Sequence, residues 1–306
     1  MAAFLIVAGV GSLVAFSTTS VFGPAQRDGT AVSQGIRPIE LPRGGTKILP
    51  NYRVVAFYGS PGGMRLGVLG GGTPDQVGVQ LTDVASDYDS LERPVMPAFE
   101  LIATIAHGTP GSDGKYRSRL SDAVIDQYLQ AARQQRMLLI LDIQPGRARF
   151  MDEVRHYATW LKERDISLAI DPEWSMGPGQ VPGKVIGHTD AATINEVSAY
   201  LDQIVQTNKL PQKLLIVHEF TQSMIQNRSA LVQRPGLATV FNVDGFGTPE
   251  AKTNKYNDLT SDPERPQSVF TGFKLFYEAD TRNHGRLMSW SDVLSLDPQP
   301  DLVVYQ

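Results

Sequence analysis

From Tyr52 to Gln306 the chain alternates short apolar runs with longer stretches whose apolar residues recur every three or four positions. A short run bounded by turn residues reads as a buried strand, and the longer spacing reads as an amphipathic helix. The strands so predicted cover residues 53–59, 97–107, 137–143, 167–171, 213–220, 237–245, 268–280 and 301–306. Helices are predicted over 74–88, 121–135, 150–164, 191–208 and 222–232, with a short one at 291–295. The stretch between the sixth and seventh strands has little periodicity. Eight strands separated by helices, in about the 250 residues such a barrel needs, predict a single-domain (β/α)8 TIM-type barrel over 52–306. The eighth helix is missing.

Two segments precede this pattern. Residues 1–23 hold the most apolar part of the sequence, with Arg27 as the first cation. Its length predicts a signal peptide or membrane anchor, and hence a protein that is secreted or tethered outside the cytoplasm. Residues 24–51 are rich in Gly, Pro and Arg and predict a linker, or a strap lying over the gap left by the absent eighth helix.

Composition narrows the function classes. Lys and Arg total 28 against 32 Asp and Glu, a net charge of −4 with no long run of either sign, so no nucleic-acid footprint is expected. Cysteine is absent, which excludes disulfides, thiolate metal sites and cysteine nucleophiles. An open doubly wound sheet would need a phosphate loop after the first strand, and Gly59-Ser-Pro-Gly-Gly63 fits neither the dinucleotide fingerprint nor the P-loop spacing. No cofactor is expected. Neither H-x-H nor H-E-x-x-H occurs, so a hydrolytic zinc site is not expected, although Asp142, Asp171 and Asp244 leave a hard-cation site open.

The candidate chemistry lies at strand ends. Barrel active sites form at the C-terminal ends of the strands, and here those ends carry Tyr58, His107, Asp142, Asp171 with Glu173, His218 with Glu219, Asp244, Glu278, and Tyr305 with Gln306. Side chains alternate between the two faces of a strand, so Asp171 and Glu173 share a face, as do Leu138, Ile140 and Asp142. Two neighbouring carboxylates do not both ionise freely, and a raised proton affinity is what a general acid needs near neutral pH. Glu173 and Asp171 are therefore the leading catalytic candidates, with Asp142, Glu219 or Asp244 as the second carboxylate. His218 and Glu219 are adjacent and face opposite ways; Glu219 is the one expected to enter the pore. Lys274 is expected at the barrel mouth, where an ion pair with a strand-end acid or an imine-forming role would suit it. Trp174 follows the acid pair, and an indole face suits the C–H side of a sugar ring. With Trp174, the expected substrate-binding residues are Tyr58, His107, Gln144, Arg147, His218, Lys274, Tyr277, Glu278 and Gln306.

The fourth strand's Asp171-Pro172-Glu173 resembles the D-x-E of barrel glycoside hydrolases, including chitinase-like and lysozyme-like families. The resemblance implies that Glu173 is the general acid and that Asp171 orients it or assists a substrate acetamido group. The longer acidic run that precedes the Glu in the chitinase motif is missing, and Pro172 stands inside the pair. The segments LDIQPG, DPEW, HEF and NVDGFG are also similar to uncharacterised secreted actinobacterial proteins. The expectation is an exported glycoside hydrolase acting on a polysaccharide or oligosaccharide, with a non-catalytic glycan-binding or cell-envelope scaffold barrel as the alternative. The membrane is expected to be met only through the N-terminal segment.

Overall fold

Eight parallel strands form a closed ring in the computed structural model, which describes residues 38–282 and 285–306. In chain order they are β1 (Arg53–Gly59), β2 (Val95–Ala106), β3 (Leu138–Ile143), β4 (Ile166–Ile170), β5 (Lys213–Glu219), β6 (Leu237–Val243), β7 (Phe270–Leu275) and β8 (Leu302–Tyr305). Each pairs with its sequence neighbours, and β1 pairs with both β2 and β8, which closes the sheet. This is the (β/α)8 TIM-type architecture.

Closure gives every strand two buried faces, which is why the runs are almost continuously apolar. Val54, Ala56, Leu138, Ile140, Leu214, Ile216, Ala238, Val240, Leu302 and Val304 fill the inside of the ring. The alternate residues, among them Val55, Phe57, Leu139, Leu141, Leu215, Val217, Phe241 and Val303, pack outward against the helices.

The helices are α1 (Pro74–Ser86), α2 (Asp122–Gln134), α3 (Phe150–His156), α4 (Ala158–Leu161), α5 (Ala191–Asn208), α6 (Pro249–Thr260) and α7 (Trp290–Leu294). Helix α1 starts at a reciprocal capping box between Thr73 and Gln76, with Pro74 in its first turn. The helix predicted over 150–164 breaks at Tyr157, whose hydroxyl donates to the Ala103 carbonyl at 2.8 Å. The helix predicted over 222–232 is absent. Two 3-10 turns (Gln222–Met224, Arg228–Ala230) flank Asn227, which takes a left-handed conformation there. Conversely, α6 occupies the stretch that lacked periodicity. It buries Lys252, Tyr256 and Leu259, and a buried lysine hides the apolar stripe from a hydropathy count. The seventh strand ends at Leu275 rather than continuing to Asp280.

The segment before β1 closes the N-terminal end of the ring. Leu41, Ile48 and Leu49 are buried in the same cluster as the barrel interior. Their backbone is fixed from the barrel side, since Gln212 Oε1 accepts from the amides of Ile48 and Leu49 at 2.8 and 2.9 Å. Residues 38–51 are thus a plug under the barrel floor rather than a strap over the place of an eighth helix. The expected signal or anchor at 1–23 and the first part of the expected linker lie outside the described residues. Among the described residues no helix is long and apolar enough to cross a membrane.

Candidate functional site

The opposite, C-terminal end of the ring is open. A cavity of about 380 Å³ there is lined by Tyr58, Gln144, Asp171, Glu173, Trp174, Asp244, Lys274 and Gln306, with Arg65, Leu66, Ile102, Phe220, Phe246 and Phe276 completing the wall. Eight residues expected from sequence meet there. A wider hollow of about 740 Å³ beside α6, lined by Lys255, Asp258 and Asp262 among others, contains none of the barrel-interior carboxylates.

Strand parity decides which acids enter. In β5, Leu214 and Ile216 point inward, so His218 does too, and Glu219 points out. This reverses the expectation for that pair. Glu219 is buried behind the barrel wall, where Arg228 Nη2 donates to its Oε2 at 2.9 Å and Arg265 lies 3.7 Å away. Burial pushes Glu219 up to about 7, and the two arginines oppose the rise. It does not belong to the cavity.

Four other candidates also fall outside. Glu278 lies beyond the shortened β7 and is exposed. Tyr277 turns outward to stack on Tyr305, with ring centroids 5.5 Å apart. His107 is held at its own loop, where Nδ1 meets the Thr109 carbonyl at 2.8 Å. Arg147 likewise serves a loop: it donates to the Gln180 carbonyl at 2.7 Å and lies over the Tyr116 ring.

What converges inside is a continuous polar network. Lys274 Nζ donates to Asp244 Oδ2 at 3.1 Å and sits 3.6 Å from the centre of the Tyr58 ring. Asp244 also accepts from Asn242 Nδ2 at 2.6 Å and faces His218 Nδ1 at 3.0 Å. His218 Nε2 lies 2.9 Å from Glu100 Oε1. Tyr58 donates its phenol to Asp142 Oδ2 at 3.0 Å and accepts from Gln144 at 3.1 Å. Glu100, Asp142, His218 and Asn242 are essentially inaccessible, so this network forms the floor below the cavity. Glu100 was not a candidate from sequence, because it stands in mid-strand. Its signal was there all the same: a lone carboxylate in PAFELIATIA, in phase with the inward Ala98 and Ile102.

Asp171 and Glu173 come from the turn after β4. Asp171 Oδ1 caps the Pro172–Trp174 turn by accepting from the Glu173 amide at 3.3 Å. The long loop after it returns through Gly187, whose amide donates to the Glu173 carbonyl at 2.7 Å. A Cβ at Gly187 would lie 2.5–2.7 Å from the carbonyl oxygens of Pro172, Ser175 and Glu173, so only glycine lets the loop brace the turn so closely. Among the described residues the Glu173 carboxyl has no hydrogen-bond partner, and it faces the cavity half-buried beside Trp174.

The environments separate the acids. Burial and then the Asp244 charge raise Glu173, with Lys274 and His218 opposing. Burial, Asp142 and Glu173 hold Asp171 well above the ordinary carboxylate range against the pull of His218. Asp142 is pushed up to about 6 by burial and Glu100, with His218 and Lys274 opposing. Burial acts the same way on Asp244, but there His218 and Lys274 win and bring it down to about 2. Lys274 loses affinity through burial and regains more from Asp244, Glu100 and Asp171, so it stays an ammonium and is not poised as an imine-forming amine. Among the described residues no three His, Asp or Glu side chains converge as a metal site. Asp244, one of the three acids of the hard-cation alternative, is instead engaged by two cations.

No protein-family model matches the chain, and no curated protein matches it by sequence.

Proposed function

We propose that the barrel mouth hydrolyses a glycosidic bond of a polysaccharide or oligosaccharide, with Glu173 as general acid and Asp244 as the ionised second carboxylate. One observation carries this reading: of the carboxyl groups that line one cavity, Glu173 and Asp244 have surroundings that drive their proton affinities apart. Among the described residues the Glu173 carboxyl has no hydrogen-bond partner, and its affinity is raised, whereas Asp244 is clamped by Lys274, His218 and Asn242 and stays ionised. Opposed pairs of this kind are the usual way to assign acid and base roles.

Glu173 would give its proton to the glycosidic oxygen as the C–O bond breaks, and the leaving alcohol departs neutral. Asp244 would then face the electron-poor anomeric carbon. It attacks that carbon in a retaining reaction, or takes a proton from the attacking water in an inverting one, so product stereochemistry reports its role. Asp171 fixes the turn that presents Glu173, while burial and the Asp244 charge favour its protonated form. Trp174, Phe220, Phe246 and Phe276 offer aromatic faces around the mouth, while Gln144 and Gln306 offer amide groups to hydroxyls. Export to a cell-envelope or environmental polysaccharide rests on the apolar run at residues 2–22.

The test is a screen of polysaccharides with reducing-end detection, run with Glu173→Gln and Asp244→Asn beside the wild type. The expected result is turnover by the wild type alone, with both variants folded. Binding without product in the wild type would replace this reading with the non-catalytic glycan-binding barrel. Near-normal hydrolysis by Glu173→Gln would remove Glu173 from the assignment.

A further inference from the structure

We infer that Glu100 and His218 are positioning residues, a buried carboxylate–imidazolium pair that fixes Asp244 as the anion opposite Glu173. The catalytic consequence rests on the glycosidase reading, but the charge arrangement itself does not.

The geometry of His218 carries the inference. Nδ1 lies 3.0 and 3.1 Å from the two Asp244 oxygens, and Nε2 lies 2.9 Å from Glu100 Oε1. A neutral imidazole donates from one nitrogen only; an imidazolium donates from both. With a carboxylate at each end, the doubly protonated ring is the form that leaves no lone pair facing an anion. Asn242 Nδ2 lies 3.4 Å from Nδ1, a longer contact than either carboxylate makes, and further acidic groups surround the ring. Asp142 Oδ1 is 4.0 Å from Nε2, Asp171 adds a further carboxyl, and Tyr58 presents its ring 5.8 Å away. Among the described residues Lys274 is the cation that opposes it, and Lys274 is paired with Asp244.

Neither residue has another evident task. Both are essentially inaccessible and do not line the cavity, so they do not touch substrate. A carboxylate buried in mid-strand is costly unless it is paired, and His218 is the one hydrogen-bond partner that Glu100 has among the described residues. The strands β2 and β5 are not neighbours in the sheet, so the pair spans the barrel interior. The result is a row running Glu100, His218, Asp244, Lys274. Glu100 keeps the imidazole charged and in place, and the imidazolium holds Asp244 ionised and aimed at the mouth. Without it, one of the two cations that keep the proton on Glu173 rather than on Asp244 is lost.

The experiment is nitrogen-15 NMR of the histidine rings in the full chain, with His218 assigned through bonds so that no variant need fold for the first readout. Both ring nitrogens of wild-type His218 are expected to be protonated at pH 7, and Glu100→Gln and Asp244→Asn should each let the neutral form appear there. On a glycan that the wild type cleaves, Glu100→Gln should lower kcat at least about tenfold, leave KM within about twofold, and move the acidic limb of the pH profile upward. A neutral His218 in the wild type at pH 7 would overturn the inference. Unchanged ring protonation and unchanged kcat in Glu100→Gln would overturn it as well. If the rings behave as expected and no glycan is cleaved, the charge row stands and the glycosidase reading falls.

Discussion

Replacing Asp244 and Glu173 by their amides should change stability in opposite directions. In the wild type, His218 and Lys274 bring Asp244 from the usual 3.8 down to about 2. At about 1.4 kcal/mol per pH unit, that difference is about 2 kcal/mol of folding free energy. Because the folded value is the lower one, this contribution is complete above about pH 4 and is lost as acid carries the pH down through 2. Asp244→Asn forfeits it at pH 7 and also leaves two buried cations without their shared anion, a change that costs about 3–5 kcal/mol when a buried pair is broken. Release of the His218 proton limits the damage, so a loss of about 2–4 kcal/mol is expected. Glu173 is raised instead, so its ionised form weighs against the folded state as the pH rises through that value. Glu173→Gln should therefore match or exceed the wild type at pH 8. Urea unfolding at fixed ionic strength, followed by circular dichroism with the slope required to stay constant, measures both. An Asp244→Asn variant as stable as the wild type, or a Glu173→Gln variant destabilised to a similar extent, would refute the division of charge on which the site is built.

Four further outcomes are expected. The kcat/KM profile should fall on its alkaline side as Glu173 deprotonates above the ordinary carboxylate range, while Asp244 remains ionised down to about 2; a rate that climbs steadily to pH 10 would contradict this. Arg228→Met should cost about 3–5 kcal/mol by leaving Glu219 buried beside Arg265 alone, with turnover retained by the folded fraction, and Glu219→Gln in the same chain should recover part of the loss in a double-mutant cycle. Trp174→Ala should raise KM for an oligosaccharide by up to about tenfold, in line with roughly 0.5–1.5 kcal/mol for a lost aromatic face, with kcat less affected. Gly187→Ala should lower kcat more than it lowers the unfolding midpoint, since its methyl group displaces the turn that presents Glu173.

The barrel was legible because closure buries both faces of each strand, and continuous apolar runs are what such strands require. Most of the site followed from one rule, that strand ends face the mouth. The errors have physical causes. His218 and Glu219 are adjacent, and hydropathy does not say which of two neighbours points inward; the phase of Leu214 and Ile216 does. Glu278 continues the apolar run of a strand whose pairing stops at Leu275. Glu100 and Lys252 are charged residues in apolar surroundings, each engaged by partners distant in sequence: His218 for Glu100, and Asp280 with the Lys274 carbonyl for Lys252. A one-dimensional pattern registers such residues as interruptions, although in three dimensions they are anchors.

The plug formed by Leu41, Ile48 and Leu49 has a bearing on how a long chain would be handled. With its base stoppered, the ring is a cup rather than a tunnel, so a polymer cannot thread through it. On the proposed hydrolysis, whatever enters at the rim would leave by the same opening, and one cleavage product would have to clear before the next segment could settle.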